Sequence, residues 1–268
     1  MRPWSLCTFF LEAKGLKKTL FRTILLIILI AALAASAWCI WYIVQYYGGR
    51  SFKENLREIG LRESLPIDAE QETIEIPVDF AALQEMNPDI YAWIDIPDTD
   101  ISYAVLRREG DNNYYMNHAE NGSYYSGGCI FSDDFNSAAM TDPVTIFYGH
   151  NLRNGTMFAK LNDFANADVF ANHRFVYVYL PDRALIYEVF SAAPHSSEQI
   201  IQSHDFADRE EYEAFFADVA SAQTSAQRRE DCFPTFGDRV LILSTCYRVD
   251  NHQRFLVMGR LAAEIPAA

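Results

Sequence analysis

The chain opens on one long apolar block and continues as a series of short alternating runs. Residues 24–44 are 21 consecutive positions without a charge, and Ser36 is the most polar of them. At 1.5 Å rise per residue a helix of that length covers roughly 30 Å, the thickness of a bilayer's hydrocarbon core, so residues 24–45 are predicted to be a transmembrane anchor. Ala35-Ser36-Ala37 resembles a signal-peptide cleavage site. The apolar run nevertheless continues through Trp38, Cys39, Ile40, Trp41 and Tyr42, which is too long for a signal core and supplies an aromatic interfacial belt. Lipoprotein processing at Cys39 is disfavoured because Trp38 is too bulky for the position before it.

Gly48-Gly49 then breaks the helix, and Phe52, Leu56 and Ile59 recur at the spacing of a short amphipathic helix. Residues 61–75 are charged and unpatterned and read as a linker, which makes 46–75 a helical and linker segment and 76–268 the main domain. Asp79 can cap a short helix whose Phe80 and Leu83 share a face, ended by Asn87-Pro88. Beyond it the pattern is that of strands: 91–96, 101–106, 128–132, 144–148, 174–180, 185–191, 239–245 and 254–262 are rich in Val, Ile, Tyr and Phe and are separated by Pro, Gly, Asn and Asp turns. Eight such strands make a mainly β domain, a closed barrel or a sandwich. One helical insertion interrupts them, with Asp208 and Glu211 as a capping box and Tyr212, Phe215, Phe216 and Val219 as an apolar stripe expected to pack on the core.

Composition adds exclusions. Half of the 268 residues are hydrophobic and 22% are charged, with 12 Gly and 10 Pro, which rules out disordered, collagen-like and disulfide-dense classes. The net charge is −14, unevenly spread. Residues 1–23 hold five basic groups (Arg2, Lys14, Lys17, Lys18, Arg22) and one acid, Glu12, a net +4 that leaves −18 on the remainder. The main domain therefore lacks the basic surface a nucleic-acid partner requires. By the positive-inside bias, residues 1–23 are a cytoplasmic basic segment and residues 46–268 lie outside a cell membrane crossed once.

Five cysteines, Cys7, Cys39, Cys129, Cys232 and Cys246, are too few and too odd in number for a disulfide framework, so at least one external thiol is expected to be free. Cys246 ends a continuous apolar strand, Arg239-Val-Leu-Ile-Leu-Ser-Thr-Cys246, and the next strand opens at Arg254 after seven intervening residues. Antiparallel pairing of the two would set Cys246 and Arg254 on one rim. Upstream, Val144-Thr-Ile-Phe-Tyr-Gly-His150 is another strand finishing in a chemically capable residue. Thiol, imidazole and guanidinium are the parts of a cysteine acyl-transfer site: a nucleophile, a proton carrier and a fixed positive charge for the oxyanion. Each also has a plainer reading, as a packed hydrophobe, a turn residue and a solvated strand end. The pairs Asp98/Asp100 and Asp133/Asp134 read as solvated turn acids rather than calcium ligands.

At these residues the sequence resembles the class B sortases, membrane-anchored cysteine transpeptidases of Gram-positive bacteria, over most of residues 86–262. Leu243-Ser244-Thr245-Cys246 matches the family's cysteine signature, with Ile242 in place of the commoner Thr. Tyr148-Gly-His-Asn-Leu-Arg-Asn-Gly-Thr-Met-Phe158 is similar to its histidine segment, and Asn87-Pro-Asp-Ile-Tyr-Ala-Trp-Ile-Asp-Ile-Pro97 and Asn113-Tyr-Tyr-Met-Asn-His118 to its opening segments. The resemblance implies an eight-stranded sortase-type β-barrel in which His150, Cys246 and Arg254 are catalytic and Ser244 and Thr245 touch substrate. His118 reads as structural. Cys129 stands where the family usually has Ser, and Arg248 is a second guanidinium that competes for the oxyanion role, although Arg254 fits the strand pairing and the Arg-Phe-Leu-Val pattern better. By the same resemblance the substrates are secreted proteins with a C-terminal sorting motif, and the acceptor is an amine such as a peptidoglycan cross-bridge precursor. Neither a metal nor an organic cofactor is implied. A hydrolytic cysteine peptidase and a membrane-tethered, non-catalytic binding module are the rival functions.

Overall fold

The computed structural model describes residues 21–44, Leu56, 71–221, 227–250 and 252–268. The basic segment before residue 21, Phe52 and Ile59 of the predicted amphipathic helix, and most of the predicted linker lie outside the described residues. Leu56 is buried. The chain divides into two compact units, Met1–Gly48 and Gly49–Ala268. The described part of the first is a single helix, α1 (Phe21–Val44), with a mean hydropathy of 2.6 in its most apolar window and none of that window buried against protein. It starts three residues before the predicted run and ends with it.

The second unit is built on a barrel. Its strands are β1 (Ile90–Asp95), β2 (Ser102–Leu106), β3 (Ile130–Phe131), β4 (Val144–Tyr148), β5 (Phe175–Leu180), β6 (Arg183–His195), β8 (Val240–Cys246) and β9 (Arg254–Pro266), with a two-residue β7 (Gln227–Arg228) before β8. The pairing order is β5-β1-β2-β3-β4-β8-β9-β6, and β6 pairs back onto β5, so eight strands close and β7 hangs on β6 outside the ring. Closure removes the free strand edges that an open sheet of this size would expose.

Side chains alternate across the wall, and the two faces have different covers. Inward go Val105, Ile130, Phe147, Leu241, Leu243, Phe255 and Val257, joined by Phe158, Leu161 and Phe164 of a 3-10 segment, η2 (Phe158–Ala165). Outward on β1, β5 and β6 go Trp93, Tyr179 and Ile186, covered by Phe80 and Leu83 of α2 (Phe80–Met86), whose first turn is capped by the Asp79 carboxylate accepting from Ala82 N at 3.0 Å. Two further short helices, α3 (Ala167–Asn172) and α4 (Ile200–Ser203), precede α5 (Arg209–Ser221). Outward on β4, β8 and β9 go Ile146, Ile242 and Met258, covered by Tyr212, Phe215, Phe216 and Val219 of α5. The predicted apolar stripe is thus core. The Asp208 cap accepts from Glu210 N at 2.8 Å and Glu211 N at 3.1 Å, but the Glu211 carboxylate answers to Asp205 N rather than to Asp208.

Three strands differ from the pattern by more than one residue at an end. β3 is two residues long, because Gly128 has φ +57° and any Cβ there would meet the Tyr115 carbonyl at 2.5 Å; a left-handed residue cannot continue a strand. β6 and β9 are longer, because they pair with each other from Arg183↔Pro266 to His195↔Arg254 and absorb two irregularities on the way.

Candidate active site

The site follows from the register of three neighbouring strands. β8 pairs antiparallel with β9, and the last pair is Cys246↔Arg254. β4 runs parallel to β8 with Tyr148 opposite Ser244, and Gly149 N donates to Ser244 O at 3.1 Å, which carries the next residue, His150, alongside the end of β8. Cys246 therefore lies between the strand that delivers His150 and the strand that delivers Arg254. Arg254 Nη1 donates to Cys246 Sγ at 2.9 Å, a contact from a charged donor. His150 Nε2 lies 2.8 Å from the Met116 carbonyl oxygen; a carbonyl only accepts, so Nε2 carries a proton. Gly149 is required for this approach, since a Cβ would fall 2.5 Å from Ile130 Cδ1 and 2.8 Å from the Phe158 ring.

His150, Cys246 and Arg254 share a groove of about 420 Å³, with Ser244, Tyr148, Met116, Asp133 and Glu198 also in its walls. It is the stretch of the outer β4-β8-β9 face that α5 leaves uncovered. Ser244 and Cys246 are two residues apart on one strand and share that face. Thr245 lies between them and points into the barrel, 1% exposed, its hydroxyl without a partner among the described residues. Strand alternation thus corrects the expectation for Thr245: it does not reach the groove.

Arg248, the competing guanidinium that the sequence disfavoured against Arg254, does not line the groove. Its Nη1 pairs with Asp163 at 2.9 Å and its Nη2 donates to Ala159 O at 2.9 Å, which turns the side chain onto η2. His118 stacks on Tyr114 at 4.0 Å between centroids and hydrogen-bonds the Tyr114 carbonyl through Nδ1, a structural role. Cys129 is fully buried and donates to His118 O at 3.0 Å. Cys232 is buried as well, and its thiol is pushed up to about 11, mainly by loss of water and further by Glu188 and Asp231. Among the described residues Cys39, Cys232 and Cys246 form no disulfide.

The sequence reading assigned no role at the site to several residues that the structure brings to it. Asn151 and Asn162 both donate to the Cys246 carbonyl, at 3.0 and 3.3 Å, and Asn162 Oδ1 accepts from Arg248 N at 2.7 Å, so two side-chain amides fix the end of β8. Asp133, expected to be a solvated turn acid, is buried. Burial raises its carboxyl above the ordinary range, Asp134 adding to the shift and the Tyr148 hydroxyl opposing it. The Tyr148 phenol is raised by burial and by the same carboxylate, while the Arg254 charge opposes that shift. Asp134 faces the other way and is held low by Gly110 N–H and the Asn112 amide. Among the described residues no group of three or more His, Cys, Asp or Glu is placed to hold a metal.

A closed eight-stranded barrel with a cysteine and an arginine paired at one rim and a histidine just past the end of the adjacent strand defines a class of proteins, and comparison with known proteins gives the same class. Residues 94–262 match the Sortase domain family, and the chain belongs to that family. It is 27% identical over 194 residues to Sortase B of Listeria monocytogenes, which covers 71% of this chain and 76% of that protein, and 26% identical over 184 residues to Sortase B of Staphylococcus aureus, covering 68% and 74%. The crystal structure of sortase B from Bacillus anthracis in complex with AAEK1 superimposes with a TM-score of 0.67 at 28% identity, over 82% of this chain and 98% of that one. The X-ray structure of Clostridium perfringens sortase B gives 0.62 at 28% identity, over 68% and 99%. Within the family the chain is a class B sortase, a cysteine transpeptidase.

Proposed function

We propose that Cys246 is the nucleophile, His150 the proton carrier and Arg254 the oxyanion partner of this transpeptidase. The observation that carries the assignment is the 2.9 Å contact from Arg254 to Cys246 Sγ inside a groove that His150 also lines. The Cys246 thiolate attacks the carbonyl carbon of a Thr in a sorting motif near the C-terminus of a secreted protein. The negative charge that forms on the carbonyl oxygen is met by the Arg254 guanidinium, whose donors are already in place. The C–N bond then breaks, and the departing amine takes a proton from His150. An amine acceptor, such as a peptidoglycan cross-bridge precursor, attacks the thioester carbonyl and returns a proton to His150, and Cys246 leaves as thiolate. Ser244 shares the outward face of β8 with Cys246 and is placed to contact the bound peptide, a role in which Thr245 is not retained.

The same chemistry with water as acceptor is peptide hydrolysis, which is the basis for classing the enzyme with the cysteine peptidases. The proposed organisation is a basic cytoplasmic segment at 1–23, an anchor at 24–45, a connecting segment at 46–75 and a catalytic domain at 76–268 facing the cell wall. The exposed apolar surface of α1 and the net +4 before residue 24 support it. The test is product analysis of the full chain incubated with sorting peptides, with and without an added amine such as a short glycine peptide. Amine-dependent ligation that disappears in Cys246→Ala is expected. Cleavage with water as the only acceptor would place the protein among peptidases, and inert peptides throughout would leave a binding module.

A further inference from the structure

The Met116 carbonyl that accepts from His150 Nε2 at 2.8 Å ends a one-turn 3-10 helix, Tyr114–Met116. That turn is held from two sides. On one side Gly128, with φ +57°, comes so near that a Cβ there would lie 2.7 Å from the Met116 oxygen and 2.5 Å from the Tyr115 oxygen, and the N–H of Cys129 donates to the Tyr115 oxygen at 2.9 Å.

On the other side Tyr115 is a buried pin. It is 2% exposed and belongs to the apolar cluster of Leu83, Ile90 and Leu106. Its hydroxyl donates to Asp89 Oδ2 at 2.6 Å and accepts from Asn87 Nδ2 at 2.9 Å. The same Asn87 amide donates to Glu120 O at 2.6 Å, and its Oδ1 accepts from Asp89 N at 3.0 Å, so the knot ties the turn to the chain just before β1. A phenylalanine would fill the same space without two polar partners. A buried hydroxyl with both partners supplied specifies position as well as filling volume.

We propose that Tyr115 is a positioning residue for His150: its hydroxyl, locked between Asn87 and Asp89, holds the Tyr114–Met116 turn so that the Met116 carbonyl keeps the Nε2 proton in place and leaves Nδ1 as the nitrogen that exchanges one. The inference rests on the assignment of His150 above and extends it to a residue that does not line the groove.

The sign of one effect separates positioning from mere loosening. A charged N–H is the stronger donor, so a carbonyl acceptor favours imidazolium over imidazole, and losing it must lower the pH at which His150 titrates. Loosening that only admits water to the ring favours the charged form and moves the midpoint the other way. Asp133, Tyr148, Glu198, Cys246 and Arg254, which share the groove with His150, the exposed Arg153 on the turn after it, and Asp89 and His118 beside the Met116 turn are unaltered in the variants compared.

The experiment follows the ring nitrogens of His150 by NMR against pH, in the detergent-solubilised full chain carrying 15N-labelled histidine, with the signal identified by its loss in His150→Gln. Single-turnover acylation by a sorting peptide that the parent cleaves, and thermal melting, accompany it. The parent is expected to show Nε2 protonated and Nδ1 bare above the midpoint. In Tyr115→Phe the midpoint is expected to fall by about 0.3–0.5 pH unit, the two nitrogen shifts to draw together as tautomers mix, and acylation to slow about three- to tenfold. Gly128→Ala, whose new Cβ presses on the Met116 oxygen, is expected to act in the same direction. Ile265→Ala cuts the core near the end of β9 remote from Arg254 and is expected to melt lower with the His150 midpoint and tautomer in place. An unmoved or raised midpoint in Tyr115→Phe overturns the role of its hydroxyl, and the same result in Gly128→Ala overturns the Met116 carbonyl as the group that holds His150. Acylation at the parental rate in His150→Gln overturns instead the assignment of His150, and with it the catalytic meaning of the inference.

Discussion

Asn162→Ala should weaken both the fold and the chemistry, by amounts set by two hydrogen bonds. The Asn162 side chain is 6% exposed and ties η2 to the strand end that carries the nucleophile. Its Oδ1 accepts from Arg248 N at 2.7 Å, a short bond with a net value of about 1 kcal/mol, and its loss deprives that N–H of its protein acceptor for about 1 kcal/mol more. Its Nδ2 reaches the Cys246 carbonyl at 3.3 Å, a long bond that adds little because Asn151 still serves that oxygen at 3.0 Å. The sum is about 2 kcal/mol, which for a domain of this size lowers Tm by about 4–8 °C. Freed on one side, the end of β8 no longer holds Cys246 in one place, and a displacement near 1 Å costs about 10²-fold in a reaction that depends on alignment. The assays are thermal melting and steady-state cleavage of a sorting peptide. A fall in kcat of about 10- to 100-fold with little change in KM is expected. Asn162→Asp keeps the acceptor for Arg248 N and loses the donor to Cys246, so it should melt closer to the parent and still be slow. An Asn162→Ala protein that melts within about 1 °C of the parent and turns over normally would refute the argument that this amide fixes the nucleophile.

Two further outcomes follow from the same geometry. Arg254→Ala should lower kcat/KM by about 10²–10³, the usual effect of removing one oxyanion donor, and Arg254→Lys should recover little, because an ammonium lacks the planar fork. Arg248→Ala loses a pair that is 55% exposed on the arginine side and should cost less than about fivefold; single-turnover acylation compares the three, and a crippled Arg248→Ala beside a near-normal Arg254→Ala would reverse the assignment. Iodoacetamide at pH 8 should modify Cys246 in the folded protein and spare Cys232, which is 1% exposed and whose thiol burial pushes up to about 11; peptide mapping that finds Cys232 labelled as fast as Cys246 would contradict its burial.

Much of this architecture could be read from the chain because its signals are local. Alternating runs gave the eight barrel strands, and a seven-residue connection between two of them was enough to put Cys246 opposite Arg254. The apolar stripe of α5 and the cap at Asp79 are also matters of spacing within one element. What escaped depends on partners distant in sequence. Asn162 meets Cys246 across 84 positions, and nothing around it in η2 announces that role. Asp133 and Asp134 are adjacent and chemically alike, and only tertiary structure distinguishes them: Asp133 is buried while Asp134 is held by Gly110 N and the Asn112 amide. Thr245 illustrates the opposite failure: the family signature groups it with Ser244 and Cys246, while the pleat of the strand sends it to the other face. For Arg248, disfavoured against Arg254 from the sequence, the structure adds the partner, Asp163, 85 positions away.

The central claim is that Cys246 carries the acyl group between donor and acceptor, and intact-mass measurement of the full chain tests it most directly. The enzyme is incubated with a library of sorting peptides in the absence of added amine, quenched in acid and mapped. The account predicts an adduct equal in mass to the N-terminal part of one cleaved peptide, located on Cys246, released by hydroxylamine as a thioester is, and absent in Cys246→Ala. Peptide cleavage without any adduct on Cys246, or an adduct that persists in Cys246→Ala, would contradict it.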